Sequence, residues 1–327
     1  MKQALLRSGI GAAVLVASVW GMSAPQAAEQ YPTKNVTVVV PYTAGGSADL
    51  MTRTMAQRLG EAWGVSMVID NRPGASGMIG TEIVTKAAPD GYTLLGHTSS
   101  FPATAAVRAK LPFDPATTIV PLGTTARAPM LLAINPHVPA KSVKDLINYA
   151  KKNPGKLTYG SSGAGGNNHF SGALFAAAAG VKMTHVPYKG ISNAVTALAG
   201  GEVDIVISSS AALLPMSKAN KVRILGVSSL EPSPLFPGVP TIASQGAPGY
   251  EYQLWWGLFG PAGMSAERIA FINAAMNKVL ASAEMKKFLA NQDAEPWPQT
   301  AAQIKDMLPR EIARYKKAAE VAGIKPL

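Results

Sequence analysis

The sequence predicts an α/β protein with two lobes. Short β-type runs alternate with amphipathic helical patterns along nearly the whole chain, two strand-to-helix junctions are long and rich in glycine and serine, and none of the 327 residues is cysteine. The alternation argues for largely parallel sheets flanked by helices. The length argues for a large core, in the range where chains commonly divide in two. With no disulfide available, that core alone must hold the fold.

The chain opens with Met1-Lys2-Gln3-Ala4-Leu5-Leu6-Arg7, an apolar stretch from Ile10 to Trp20, and small residues through Ala27-Ala28. Residues 1–28 therefore read as a secretory signal peptide, cleaved near Ala28, just before Tyr31-Pro32 opens the first strand. The apolar stretch is shorter than the roughly 20 residues that span a bilayer, and no later segment is long and apolar enough. The mature chain is expected to be soluble and exported. Its formal charge of +11 falls to +9 once Lys2 and Arg7 leave with the signal. The remaining basic residues are scattered, with only short pairs such as Lys151-Lys152, Lys286-Lys287 and Lys316-Lys317 and no aromatic-interleaved stripe. A solvated basic surface is the reading, and nucleic acid is not an expected partner.

In order, the β-type runs are Val36 to Val40, Val65 to Asp70, Tyr92 to Leu95, Leu131 to Ile134, Leu157 to Gly160, Thr184 to Val186, Val203 to Ile207 and Val222 to Val227. After the first, Met51, Met55, Leu59 and Trp63 stand at four-residue steps on one helix face that stops at Gly64, with Ser47 as expected N-cap. After the fifth, a helix opens near Asn167 or Asn168 and ends at Gly180. Ala194, Val195 and Leu198 form the buried face of another. Pro232 to Gly249 reads as an irregular connection leading into Trp255-Trp256-Gly257-Leu258-Phe259. Ile269, Ile272, Met276, Val279 and Leu280 form a helical stripe, and Ile304, Met307, Ile312 and Tyr315 suggest a last helix broken at Pro309.

The two glycine-rich loops, Tyr42-Thr43-Ala44-Gly45-Gly46-Ser47-Ala48-Asp49 and Ser161-Ser162-Gly163-Ala164-Gly165-Gly166, sit where a strand enters a helix. Free N–H groups and the positive end of the helix dipole attract anions there, and glycine removes the Cβ that would hold a ligand off the amides. Each loop alone is equally well a tight packing turn. Both are longer and richer in glycine and serine than a minimal βα turn, in a class that runs from about 2 to 6 residues, and together they suit a carboxylate held from two sides. Phosphate motifs fail, because Gly155-Lys156 is followed by Leu157 and Gly163-Ala164-Gly165 by Asn168 where a third glycine belongs. In Gly160-Ser161-Ser162-Gly163-Ala164 an alanine takes the last glycine position of a nucleophile elbow. His97, His137, His169 and His185 lack metal-ligand spacing, so neither a metal nor a cofactor is expected.

The stretches YPTKNVTVVVPYTAGGSAD, NRPGASGMIG, APDGYTLLGHTSS, LTYGSSGAGGNNHFSGALF, HVPYKGISNAVTALAGGEVDIVISS, VRILGVSS and FPGVPTIASQGAPGYEYQLWWGLFGPAG resemble, in this order, the Bug-type (TctC-like) solute-binding proteins of tripartite tricarboxylate transporters. The resemblance covers essentially the mature chain. It implies a two-lobed periplasmic-binding-protein (type II-like) fold with a ligand cleft between the lobes: residues 29–127 and 253–327 form lobe 1, and residues 128–252 form lobe 2. It further implies that Tyr42 to Asp49 and Ser161 to His169 face each other and bind a small carboxylate through backbone amides and ordered water. A hydroxyl residue is common in the family where Gly166 stands, so one direct contact is missing.

The expected ligand-binding residues are Tyr42, Ala44, Gly45, Gly46, Asp49, Thr98, Ser99, Ser161, Gly163, Gly165, His169 and Tyr188. Asp49, in a first helical turn, either orders the loop amides or meets a ligand ammonium or hydroxyl; the first role is preferred. His169, also in a first turn, is expected neutral. Thr98-Ser99-Ser100 would furnish hydroxyls, Tyr188 would wall the pocket, and one of Trp255 and Trp256 would approach the cleft while the other enters the core. The implied role is a monomeric, non-enzymatic periplasmic protein that delivers its ligand to the permease subunits of a tripartite transporter. The alternatives are a ligand-presenting sensor, or a periplasmic hydrolase or isomerase, for which no nucleophile, base and orienter set is recognisable.

Overall fold

In the computed structural model, residues 31–108, 110–322 and 324 are described; the expected signal segment, 1–28, lies outside them. Strand β1 (Val36–Val40) leads into helix α1 (Ser47–Trp63), then β2 (Met67–Asn71), α2 (Met78–Thr85), β3 (Thr93–Thr98), α3 (Ser100–Val107) and β4 (Ile119–Pro129). Past Met130 come β5 (Leu131–Ile134), α4 (Val143–Lys152), β6 (Thr158–Ser161), α5 (Asn167–Ala179), β7 (Thr184–Pro187), α6 (Ile191–Gly200), β8 (Ile205–Ser208), α7 (Ser210–Lys218) and β9 (Arg223–Val227). The chain ends with β10 (Gln253–Pro261), α8 (Ala266–Ala281), α9 (Ala283–Asn291), β11 (Glu295–Pro296) and α10 (Ala301–Ala322).

Two sheets result, in the orders β11-β4-β10-β3-β1-β2 and β7-β6-β8-β5-β9. The expectation of largely parallel sheets needs correction. β1 pairs parallel with β2 and β3, and β6 with β7 and β8, but β10 runs antiparallel to β3 and β4, and β5 antiparallel to β8 and β9. The reversed strands are those by which the chain enters the second sheet and re-enters the first, so they do not follow the strand-helix-strand rule that makes neighbours parallel.

Each sheet buries both faces. Val38, Val40, Trp256 and Leu258 pack with Met51, Met55 and Leu59 of α1 and Met276 and Leu280 of α8, while Val39, Leu95, Trp255 and Phe259 pack on the other face with Met78, Phe101, Ile304 and Leu308. Both tryptophans are therefore core residues, 2% and 5% exposed. The period of two assigned them to opposite faces correctly; the expected approach to a cleft fails because β10 is an interior strand covered by helices on both faces. In the second sheet, Leu132, Ile134, Ile205 and Ile207 meet α4 and α5, and Leu131, Ala133 and Val206 meet α6 and α7.

The crossings between sheets are laced by one buried serine. The Ser228 N–H donates to Met130 O on the outgoing chain (2.8 Å), its Oγ accepts from Met130 N–H (2.7 Å) and donates to Tyr252 O, and Ser228 O accepts from Tyr252 N–H on the return (3.0 Å). Helix α10 makes a third link. Ile304 and Leu308 belong to the core beneath the first sheet, whereas Tyr315, Ala318 and Ala319 pack with Phe170 and Tyr252 in the core of the second. Pro309 lies between these halves without ending the helix, contrary to the expected break. Its ring removes one intrahelical donor, a local loss that packing at both ends outweighs, and Arg310 Nε donates to the nearby Asp306 O at 2.9 Å.

Candidate functional site

The loops after β1 and β6 are built alike. Ala44-Gly45-Gly46 with Asp49, and Ala164-Gly165-Gly166 with His169, repeat at an offset of 120 residues (44 to 164). Gly45 and Gly165 are left-handed, with φ of +80° and +74°. Gly46 and Gly166 are extended N-caps with φ, ψ of −76°, 168° and −88°, 170°. The cap of α1 is thus Gly46 and not Ser47, which is already the first helical residue. The first backbone bonds of the two helices run from Leu50 N–H to Gly46 O and from Phe170 N–H to Gly166 O. The amides of residues 47–49 and 167–169 therefore have no acceptor within their own helices.

The glycines differ in what they require. A left-handed angle explains Gly45 and Gly165 without reference to a ligand. Gly46 and Gly166 have backbone angles open to any residue, and a Cβ added there would meet only ordinary contacts, Thr43 O at 3.6 Å in one and Ser162 Oγ at 3.5 Å in the other. Neither strain nor packing excludes a side chain at these two positions.

Asp49 is 4% exposed and saturated with donors: Gly45 N–H (3.0 Å), Asn71 Nδ2 (3.0 Å), and Arg53 through Nη2 (2.8 Å) and Nε (3.3 Å). Burial pushes its carboxyl up, but Arg53, Gly45 N–H and Asn71 together outweigh this and hold it below the usual carboxylate range. The Gly45 amide is consequently engaged inside the loop. His169 does the matching job, with Nδ1 accepting from Gly165 N–H at 3.1 Å. Its ring stacks on His185 with centroids 3.7 Å apart and planes 7° apart, and burial, reinforced by His185, pushes its pKa down to about 4. Burial likewise brings His185 to about 4.

Ser161 and His185 form a close pair, with 2.6 Å between Oγ and Nε2, and Ser161 Oγ also accepts from Gly163 N–H at 3.1 Å. That contact has the look of a nucleophile and base. Ser161 is 0% exposed, however, so its hydroxyl organises the loop and is not presented to solvent. In the first half of the molecule, Tyr42 reaches from its loop to the end of β3. Its hydroxyl bonds Ser100 Oγ and lies 3.2 Å from His97 Nδ1 and 3.4 Å from Thr98 Oγ1. Burial raises the Tyr42 pKa against the opposing hydrogen bonds of Ser100 and Thr98, and burial lowers His97 to about 3, so both groups are neutral.

The structure thus gathers Tyr42, Ala44, Gly45, Gly46, Asp49 and Thr98 into one group and Ser161, Gly163, Gly165 and His169 into another. Tyr188 joins the second through its backbone, its N–H donating to Ser161 O at 3.0 Å, while its side chain packs against the core that α6 shares. Ser99 is not brought to either group. Its hydroxyl is buried at 0% exposure, and its N–H donates to Trp255 O at 2.9 Å. Sequence reasoning missed Arg53, Asn71, His97 and His185 as parts of these networks, whereas Ser100 was expected among the hydroxyls of Thr98-Ser99-Ser100. Arg53 carries a local signal, one turn after Asp49 on the same helix face; the others come from separate strands and carry none.

Three comparisons bear on this arrangement. The family described as "Tripartite tricarboxylate transporter family receptor" matches residues 51–324, which begins just past the first loop. Protein BugT of Bordetella pertussis is 32% identical over 307 residues, covering 93% of this chain and 94% of BugT. Among solved structures, an R. palustris protein with adipate is 39% identical with a TM-score of 0.79, covering 91% of this chain and all of its own. MatC from Rhodopseudomonas palustris with bound malate is 28% identical with a TM-score of 0.74, covering 88% and 99%.

Proposed function

The chain belongs to the tripartite tricarboxylate transporter receptor family, the Bug-type solute-binding proteins, and on that premise we propose that it captures a small organic carboxylate and delivers it to the permease subunits of a tripartite transporter. It is a two-lobed α/β protein of the periplasmic-binding-protein kind. In our reading, residues 29–127 and 253–327 make lobe 1 and residues 128–252 make lobe 2, with α10 lying along both. The two glycine loops face each other across the cleft, and the protein works as an exported periplasmic monomer without turnover.

The observation that carries this reading is the pair of N-cap glycines, Gly46 and Gly166, kept bare where neither backbone angle nor packing demands it. Bare first-turn amides at two helix N-termini suit a carboxylate. Neighbours solved with adipate and malate, both dicarboxylates, support the class. Arg53, the cation bonded to the first loop, is engaged with Asp49, and in this reading recognition rests on neutral donors: backbone amides and the hydroxyls of Tyr42, Thr98 and Ser100.

A thermal-shift screen of the mature protein, stripped of carried-over ligand, tests it. An acid present at 100 times its Kd stabilises the fold by about 2.7 kcal/mol. Failure of every mono-, di- and tricarboxylate to move the transition would sink the proposal.

A further inference from the structure

Two side chains that the binding reading does not need as ligand contacts occupy equivalent places. Asp49 and His169 stand four residues after Gly45 and Gly165, differ completely in chemistry, and make the same bond: a side-chain acceptor to the N–H of the left-handed glycine, at 3.0 and 3.1 Å. An N–H in that position otherwise points into the loop without a partner, and the turn has no reason to keep its shape.

We infer that Asp49 and His169 are the positioning residues of the two loops, each clasping its left-handed glycine so that the first-turn amides stay exposed to an anion, and that the second clasp opens when His169 is protonated. This rests on the carboxylate-binding reading for its purpose, but the clasp itself is a property of the ligand-free protein.

The two clasps respond differently to acid. Asp49 is charged and compensated by Arg53 on its own helix and by Asn71 from β2. His169 accepts only while Nδ1 is unprotonated; a proton there sets two donors against each other. The groups facing it are His185 from β7 and the Tyr159 ring from β6. Among the described residues no carboxylate or cation pairs with either imidazole, so nothing stabilises the imidazolium, and the positive end of α5 opposes it further. Burial already holds His169 near 4, which places the opening of the clasp well below neutral pH.

Amide hydrogen exchange and imidazole nitrogen shifts of the ligand-free protein, followed by NMR from pH 7 to 4, test the clasp directly. The expected result is a neutral His169 with Nδ1 unprotonated at pH 7, and protection of the Gly165 amide that falls at least about tenfold as the ring titrates while Gly45 keeps its own. His169→Asn puts an amide oxygen where Nδ1 stands, so it should keep Gly165 protected and abolish the pH dependence. His169→Ala should lose protection at pH 7. Gly165 protection that is indifferent to pH and to both substitutions overturns the inference.

Adipate and malate affinities of the same proteins, by calorimetry, separate the two readings. Affinity should follow Gly165 protection across the variants. A wild-type protein that none of the mono-, di- and tricarboxylates stabilises overturns the carboxylate reading while leaving the clasp to be decided by exchange.

Discussion

Replacing Gly46 or Gly166 by alanine should weaken ligand binding without weakening the fold. At Gly46 the backbone angles of −76° and 168° suit alanine, and the nearest atom to the new methyl is Thr43 O at 3.6 Å. Alanine is a poorer N-cap than glycine, a cost below about 1 kcal/mol, and it restricts the unfolded chain, a gain of about 0.4 to 1 kcal/mol. These nearly cancel, so urea unfolding should agree with wild type within about 0.5 kcal/mol. An N-cap side chain projects toward the free amides of the first turn, the place where a carboxylate would bind. Affinity for whichever carboxylate stabilises the wild type, measured by calorimetry, should drop at least about tenfold, or 1.4 kcal/mol. Gly64→Ala is the control for strain: it is left-handed at +69° with open space around it, so it should cost about 1 to 2 kcal/mol of stability and leave affinity unchanged. Wild-type affinity in both Gly46→Ala and Gly166→Ala, with stability intact, would refute the bare-amide reasoning and leave these two glycines unexplained.

Acid should destabilise the protein steeply above pH 4, because His97, His169 and His185 have pKa values lowered by burial to about 3, 4 and 4. Their neutral forms fit the fold, and the unfolded chain takes up more protons between pH 6.5 and 4, so stability is complete above that window and is lost as pH falls through it. Near pH 5 the difference approaches three protons, and with His169 and His185 discounted for their partial exposure to solvent the slope is about 1 to 4 kcal/mol per pH unit; an unfolding free energy that stays constant from pH 6.5 to 4.5 contradicts it. Tyr42→Phe removes the hydroxyl that ties the first loop to Ser100, His97 and Thr98, and should cost about 1 to 2 kcal/mol in urea unfolding; no change would mean the tie is idle. Gly96→Ala forces a methyl to 2.4 Å from the Thr52 side chain where α1 lies on β3, so its melting temperature should fall, at a cost of about 1 to 3 kcal/mol, with none expected if α1 is free to slide.

The strands that hold the parallel parts of both sheets were legible because each is a short apolar run between turn residues, and the ends of α1 and α5 were legible because Gly64 and Gly180 take the left-handed cap angle. The long β4 was not: Ile119 to Pro129 contains Gly123, Thr124, Thr125, Arg127 and two prolines, a composition that reads as a loop. It is a strand because β10 pairs along its length and β11 covers its other edge near Arg127, whose Nε donates to Glu295 at 2.6 Å. The persistence of α10 through Pro309 was equally invisible, since what outweighs the proline is packing against two cores that sequence spacing cannot see together. For the site, the glycine pattern pointed to the right kind of loop, but its hydrogen-bond direction did not follow. Gly45 and Gly165 turn their amides inward, and only coordinates reveal that Asp49 and His169 are the acceptors.

Strand β10 lies between β3 and β4, which have no hydrogen bonds to each other, and it enters the chain only at Gln253. The strands of the second sheet, by contrast, all lie between Leu131 and Val227. As the polypeptide is made from its N-terminus, β1 to β4 are therefore complete well over a hundred residues before the strand that joins them exists. Closing so distant a pairing is slow. The first sheet must remain in two parts, β3-β1-β2 and β4, until the final quarter of the chain has been synthesised. The second sheet can close on its own strands, but the two-sheet form as a whole is complete only when nearly all of the chain is present.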